Sequence, residues 1–589
     1  MRGMTHRWLL PDSPGEAVGP GAPVIAGLTP LAARVLSARG LGAAGAGARF
    51  LDPKMADLHD PSLLPGVDAA AQRILDGARK GERIAIYGDY DVDGVCAASI
   101  LFHMLRHICP GADLVTYVPH RIDEGYGLNA DALRSLAADG ARLIVSVDCG
   151  VTAVEPALAA RDAGADLIIT DHHNLPHDPT NLPQAHTIVH PRLPGSGYPW
   201  GELCGAGVAF KLAWRLATLA HGSERVDQPT RRLLLDLLAL AALGTIADVV
   251  PLLDENRVIA RYGLGRLRST ELEGLNALIQ AAELADENID AEKVGFVLGP
   301  RLNACGRMGH ARDAMEMLTT ASFDRALTIA KELNRLNDQR RATERSIAAE
   351  AAELAEAAGM THDDRRAIVL AKEGWSPGVI GIVCSRLVER FHRPTLLLQR
   401  DGDMCQGSGR SIDGFNLHGG LEACSDLLDR FGGHDMAAGL ALRSDRLDEF
   451  VDRFTAIANE QVTVPQLTPS LRIDCDATLD ELTPDAVQQL ERLGPFGRSN
   501  PSPSIRLVGL QLAASPDPLG AHGKHLAIRV RSGDRFMRIV AWNWGDRRSS
   551  LHAGDTIDAV VEPKVSTWAM RRGGQPSVEP VLRDLAARP

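Results

Sequence analysis

At 589 residues, 45% of them hydrophobic and 23% charged, the chain is too long for one core and has the make-up of about three or four soluble globular domains. Nine cysteines without any Cys-x-x-Cys spacing argue against a zinc ribbon or a disulfide scaffold and for a reducing cytosol. The net charge of −12 gives no sign of a polyanionic partner but does not exclude one, because binding depends on local basic surface rather than on net charge.

Residues 1–80, rich in Gly, Ala and Pro, read as a small helical lead-in, and residues 1–14 lack the continuous apolar stretch of a secretory signal. Residues 81–255 read as an α/β domain. Ile84-Ala85-Ile86-Tyr87, Leu143-Ile144-Val145-Ser146-Val147 and Leu167-Ile168-Ile169 are short apolar runs between helix-like stretches, the pattern of buried parallel strands. In such sheets ligands bind beyond the carboxyl ends of the strands. There the chain carries Gly88-Asp89-Tyr90-Asp91-Val92-Asp93-Gly94, Val147-Asp148-Cys149-Gly150 and Thr170-Asp171-His172-His173-Asn174. In an extended segment Asp89, Asp91 and Asp93 would share one face, and Gly94 would let the backbone turn into a helix over residues 95–109. The apolar stretch 233–247, interrupted by Asp236, reads as a buried helix rather than a membrane span, and ends in Gly244-Thr245-Ile246-Ala247-Asp248. A single Asp at a strand end is often only a cap or turn former. Four such segments converging would repel strongly unless divalent cations sat between them.

Residues 256–361 read as a mixed connector carrying Pro300-Arg301-Leu302-Asn303, followed by a helix over 323–358 that contains neither Gly nor Pro and links two globular units. Residues 362–460 read as a second α/β unit, opening with the strand Ala367-Ile368-Val369-Leu370. Residues 466–589 have the short strands and turn signals of an oligonucleotide-binding barrel. Within it Lys524, Arg529, Arg531, Arg535, Arg538, Arg547 and Arg548 face only Asp534 and Asp546, and Arg529 and Arg531 alternate with apolar residues, so a strand presents both on one face. Trp542 and Trp544 share that two-residue spacing: ring stacking on bases is one reading, and filling a barrel core, for at least one of them, is the other.

The ordered series of motifs resembles the DHH phosphoesterase superfamily, and within it the RecJ-type single-strand-specific DNA exonucleases. Further segments carry the likeness, among them Pro300-Arg301-Leu302-Asn303-Ala304-Cys305-Gly306-Arg307-Met308, Gly407-Ser408-Gly409-Arg410-Ser411 and Gly432-Gly433-His434. It runs from about residue 81 to the C-terminus. Ser376 stands where the family usually has His and Ser499 where it usually has Gly, departures that touch no metal ligand. The resemblance implies a DHH parallel-sheet domain joined by the long helix to a DHH-associated α/β domain, with a C-terminal β-barrel. It also implies metal ligands at Asp89, Asp91, Asp93, Asp148, His172 and Asp248. Their oxygen and imidazole donors suit a pair of Mn²⁺ or Mg²⁺ ions, which activate water and stabilise charge on the attacked phosphate. Asp171 would orient an imidazole, and His173 would meet the scissile phosphate or the leaving oxygen. Arg121, Ser408 and Arg410 would form a 5′-phosphate pocket, with free backbone N–H groups around Arg410 facing the anion. Asn303, Arg307 and His434 would line the path to the metals, while Lys524, Arg529 and Arg531 would hold DNA.

The function so implied is 5′ to 3′ hydrolysis of single-stranded DNA to 5′-mononucleotides in recombination and repair, in the cytoplasm, alongside a single-strand-binding protein and a helicase and away from membranes. A phosphodiesterase for short oligonucleotides or cyclic dinucleotides would share the metal site but normally lack the barrel, and a pyrophosphatase has the same weakness. A non-catalytic replication scaffold would have lost carboxylates that are all present here.

Overall fold

The computed structural model describes residues 2–11, 27–42, 45–121, 123–176, 178–566 and 577–588. The chain divides into two compact units, neither of them contiguous in sequence. One comprises Pro53–Ala342 with Pro495–Pro501, the other Met1–Asp52, Thr343–Gly494 and Ser502–Pro589. Among the described residues no helix is long and apolar enough to cross a membrane.

The first unit is built on a parallel sheet whose strands lie in the order Leu114–Tyr117, Arg83–Tyr87, Ala141–Val147, Asp166–Thr170, Thr187–Val189. Alternate residues go to opposite layers. Ile84, Ile86, Val145 and Ile168 pack with the helices Val92–Ile108, Gly205–His221 and Gln228–Ala247, while Ala85, Tyr87, Ile144 and Ile169 pack with Ala130–Ala138 and Val154–Asp162. Burial on both faces is why these strands read as continuous apolar runs. After Arg83–Tyr87 the chain adds a strand on one side and then continues on the other, so a crevice opens where that order reverses. The strand ends bearing Asp89 and Asp148 flank it.

Residues 256–320 are helical rather than mixed: Asp254–Leu267, Glu273–Ala281, Gly299–Met308 and Arg312–Thr319 succeed one another, with a π-turn at Val294–Leu298. Pro300 lies in the first turn of its helix, where a missing N–H costs nothing, so it does not break the element. The long helix runs Phe323–Ala357 as expected, and the division between units falls inside it.

In the second unit a five-stranded sheet has the order Arg430–His434, Ala437–Arg443, Met404–Arg410, Thr395–Asp401, Ile368–Glu373, with only the last pair parallel. A further sheet rolls up: Ile505–Leu512, Thr556–Glu562, Val581–Ala587, Arg535–Ala541 and His525–Ser532 are neighbours in turn, and Gln511↔Arg531 and Leu512↔Val530 pairing closes the ring. Of residues 1–80, Pro30–Ala38, Ala46–Leu51 and Val67–Arg79 are helices as expected, but the first residues form a strand. Arg7–Leu9 pairs in parallel with Ser470–Arg472, and Asp584 of the barrel accepts hydrogen bonds from Thr5 N (3.1 Å), Thr5 Oγ1 (2.8 Å), His6 N (3.0 Å) and Trp8 Nε1 (2.8 Å). A three-residue strand is too short to show an alternating pattern, and its partner lies more than four hundred residues away.

Candidate metal centre

The first acidic loop departs from the extended geometry expected of it. Asp91 caps the helix Val92–Ile108, its Oδ1 accepting from Asp93 N (2.9 Å) and Gly94 N (3.1 Å), so the helix begins three residues earlier than residue 95 and Asp93 lies in its first turn. The capping carboxylate satisfies two of the N–H groups that a helix start leaves open. Asp93 reaches instead to the start of the helix Gly205–His221, where Oδ2 accepts from Gly205 N (2.6 Å) and Oδ1 from Ala206 N (2.9 Å). Asp148 ends its strand with φ +62°, a conformation that non-glycine residues hold only under local constraint. Asp171 is saturated by Val151 N (2.9 Å), His172 N (2.7 Å), His173 N (3.1 Å) and His173 Nδ1 (2.8 Å). Arg192 Nη2 on His172 O and His190 on His173 O clamp the His-His backbone from behind. Asp248 follows the last turn of Gln228–Ala247.

These side chains converge. His172 Nε2 lies 3.2 Å from Asp148 Oδ1, 3.6 Å from Asp248 Oδ2 and 3.9 Å from Asp93 Oδ2. Three overlapping donor sets arise, Asp93-His172-Asp248, Asp148-His172-His173 and Asp89-Asp91-Asp148, each with ligand atoms within 4.8 Å of one another. Asp89, Asp93 and Asp148 are at most 2% exposed, and Asp89 Oδ1, Asp148 Oδ1 and His172 Nε2 are buried without a hydrogen-bond partner. Burial, then mutual repulsion, drives the carboxyls upward: Asp89 through Asp91, Asp148 through Asp93, Asp91 and Asp248, and Asp248 up to about 9. Burial, then the neighbouring His173, pushes His172 down to about 4. Burial also opposes charge on His173, but the Asp171 hydrogen bond and surrounding carboxylates win, and it rises to about 9. Orphaned oxygens and an unprotonated imidazole nitrogen around one space are donors awaiting hard divalent cations, and the residues fit that group.

Glycine makes the space possible. A Cβ on Gly94 would come 2.5 Å from Asp89 N, one on Gly205 2.5 Å from Asp148 Oδ1, and one on Gly244 2.3 Å from Asp93 Oδ1. Gly205 went unnoticed in the sequence, as did Tyr126, whose hydroxyl lies 3.0 Å from the His173 ring nitrogens and 3.4 Å from Asp148 O. The Gly125-Tyr126-Gly127 triplet, with both glycines at positive φ, was the available signal.

Of the expected substrate residues, three belong to this unit. Arg121 lies over the Tyr90 ring at 4.8 Å, and Asn303 Oδ1 accepts from Val92 N at 3.1 Å, which ties Gly299–Met308 to the metal loop. Arg307 is close enough to Tyr90 for its charge to be felt there. In the other unit, the notion of free N–H groups around Arg410 does not hold. Residues 407–410 form the second half of a strand paired on both sides, so the ladder consumes their N–H groups and anion contact would fall to side chains. The Ser408 hydroxyl and Arg410 guanidinium do converge on Gly381, 3.4 and 3.5 Å from the Cβ it lacks. His434 shares a register row with Arg410, with Ala437 between them.

On the barrel Arg529 and Arg531 are both exposed, but Arg529 pairs with Asp517 (2.9 Å), Arg535 with Asp480 (2.5 Å) and Arg538 with Glu579, which tempers the basic face. Lys524 is exposed beside it. Trp544 is buried, whereas Trp542 is half exposed against His525, so the two rings divide between core and surface. Phe536, 66% exposed opposite Arg531, is an aromatic surface residue the sequence reading passed over.

Comparison with known proteins agrees with this geometry. Family models match at residues 83–245 (DHH family, N-terminal domain), 364–460 (DHHA1 domain) and 473–579 (RecJ OB domain). The single-stranded-DNA-specific exonuclease RecJ of Bacillus subtilis is 40% identical over 93% of this chain and 67% of its own length, and that of Escherichia coli is 35% identical over 88% and 89%. Among solved structures, RecJ of Thermus thermophilus in complex with Mn²⁺ superposes with a TM-score of 0.79 at 30% identity, covering 95% of this chain and 76% of that one. An exonuclease RecJ bound to manganese gives 0.59 at 33% identity, covering 70% and 98%. The three domains are therefore a DHH domain, a DHH-associated domain and an oligonucleotide-binding barrel, and the chain belongs to the RecJ family of single-stranded-DNA-specific exonucleases.

Proposed function

We propose that this chain is a metal-dependent exonuclease that degrades single-stranded DNA from its 5′ end to 5′-mononucleotides. The observation that carries the reading is the complete donor set around one buried space, Asp89, Asp91, Asp93, Asp148, His172 and Asp248, with three of its atoms otherwise orphaned. A scaffold that had lost catalysis would have no need to bury so many carboxylates together. Two Mn²⁺ or Mg²⁺ ions in that space would supply a water of lowered pKa and a clamp for the charge on the attacked phosphate. Asp93 and Asp91 keep their ligand oxygens in place through backbone N–H groups at two helix starts. Asp171 holds the His173 ring and favours its protonated form, which can donate to the scissile phosphate or the departing oxygen. Ser408 and Arg410 offer a hydroxyl and a guanidinium to a terminal phosphate, and Arg529, Arg531 and Phe536 offer charge and a ring to the strand. The barrel favours long strands over dinucleotides. Roles in recombination and repair, a cytoplasmic setting, and a helicase and single-strand-binding protein as partners follow from the same reading.

The test uses single strands labelled at either end, incubated with Mn²⁺ with and without chelator, beside a blunt duplex. The 5′ label is expected first, as mononucleotide, with the chelated sample and the duplex left intact. Early release of the 3′ label would refute the polarity, and cutting in the presence of chelator would refute the metal chemistry.

A further inference from the structure

The segment Pro495–Pro501 belongs to the unit that carries the metal centre, although the chain on either side of it belongs to the other. It is seated on the turn that follows Asp248. Leu252 N donates to Arg498 O at 2.9 Å, and Arg498 Nη1 donates to Val249 O at 3.4 Å. The segment's own shape is locked. Asn500, 1% exposed, donates through Nδ2 to Pro495 O at 2.9 Å, and its backbone exchanges hydrogen bonds with Gly497 at 2.9 and 3.1 Å. Gly497 is pressed so close to Leu252 that a Cβ would lie 2.7 Å from Cδ1, and Ser499 is held at φ +62°. This bracing presents Arg498, whose side chain is exposed and has no carboxylate partner among the described residues.

Arg498 stands at the edge of a dense carboxylate cluster. Its charge is close enough to pull on the Asp248 carboxyl, yet it forms no ion pair there and bonds a neighbouring carbonyl instead. With cations among the carboxylates, the pocket's own charge is largely cancelled, and the rim cation is left for another anion. A guanidinium matches a phosphate with two parallel N–H donors.

We propose that Arg498 is a substrate-positioning residue of the metal centre, its guanidinium receiving a backbone phosphate of the bound single strand beside the phosphodiester being cut. The proposal rests on the nuclease reading above. It gives the segment a purpose beyond connecting strands: it brings a cation to the ligand turn from a part of the sequence about 250 residues away, counted between the two bonded residues.

The experiment uses the full chain, Arg498→Ala and Arg498→Lys, with 5′-phosphorylated single strands, unmodified or carrying one uncharged methylphosphonate at successive linkages from the 5′ end. For Arg498→Ala, kcat/KM falls about tenfold, as expected for a lost charge-assisted contact, chiefly through KM. The slope of log kcat/KM against log salt becomes shallower by about 0.7, the loss of one phosphate contact on a single strand. One methylphosphonate position slows wild type and Arg498→Lys but not Arg498→Ala, while Mn²⁺ affinity by calorimetry is the same in all three. A wild-type kcat/KM and salt slope in Arg498→Ala overturns the proposal. So does a loss of activity that follows weakened Mn²⁺ binding with no methylphosphonate position separating the proteins, since Arg498 would then only shape the Asp248 turn. A wild type that leaves every single strand intact overturns the nuclease reading itself.

Discussion

Gly244→Ala would place one methyl group inside the metal centre. The new Cβ would lie 2.3 Å from Asp93 Oδ1 and 2.6 Å from Ala206 Cβ, against an ordinary limit of 3.4 Å, so Asp93 must yield by about 1 Å. Yielding is difficult, because both Asp93 oxygens are held by the backbone of Gly205 and Ala206. Overpacking costs about 1–3 kcal/mol, but replacing glycine by alanine inside a helix returns about 1 kcal/mol, so the net loss of stability is only ~0–2 kcal/mol. Catalysis should suffer far more, since displacing a reacting group by about 1 Å can cost roughly a hundredfold in rate. The measurements are kcat at saturating Mn²⁺, Mn²⁺ affinity by calorimetry and Tm. Gly265→Ala, in a helix where a Cβ meets nothing within 4 Å, is the control and should gain about 0.5–1 kcal/mol with activity untouched. A Gly244→Ala protein with wild-type kcat and wild-type Mn²⁺ affinity would refute the claim that glycine is there to make room for Asp93.

Asp148→Ala should abolish hydrolysis and weaken Mn²⁺ binding while single-strand binding survives, as read by filter binding beside the activity assay. Arg410→Ala should lower the preference for 5′-phosphate over 5′-hydroxyl ends by about ten- to a hundredfold, the worth of about 1.5–3 kcal/mol in charge-assisted bonds, and an unchanged ratio of the two rates would remove it from end recognition. Asp584→Ala strips five donors of their acceptor, Leu585 N among them, at about 1 kcal/mol each, so it should cost about 3–5 kcal/mol and expose the amides of residues 5–9 to hydrogen exchange. In chelator, the folded protein keeps protons on Asp248 and His173 up to about 9, whereas the unfolded chain has released them by about 6.5. Stability therefore falls as pH rises between about 6.5 and 9, and the rise in Tm on adding Mn²⁺ should grow over the same window; a flat difference would contradict the buried-carboxylate picture.

The parallel strands and ligand loops were legible because each is a local pattern: an apolar run long enough to be buried, then acidic residues where the strand must end. Asp93 was misplaced because capping by Asp91 decides where the helix begins, and the competing extended reading has the same local sequence. Gly407 and Gly409 were expected to flank free backbone N–H groups. They sit instead in a central strand, because Cβ atoms there would strike Leu397 O at 2.2 Å and Leu396 Cδ2 at 2.4 Å. The Gly205 and Gly244 walls of the metal space, the Arg498 brace and the strand Arg7–Leu9 are products of packing between distant segments, and no window of sequence contains both partners.

The anchoring of Thr5, His6 and Trp8 on Asp584 bears on how the chain is made. A ribosome releases residues 5–8 early, yet the acceptor that secures them lies 576 residues beyond Trp8. Residues 53–342 lie in one unit with the seven-residue brace at Pro495–Pro501, while residues 5–8 wait until Asp584 has followed. Trp8, 2% exposed once docked, spends that interval in solvent. Chaperone demand should therefore persist until residue 584 has emerged, and deleting the strand Val581–Ala587 should leave residues 5–8 open to proteases.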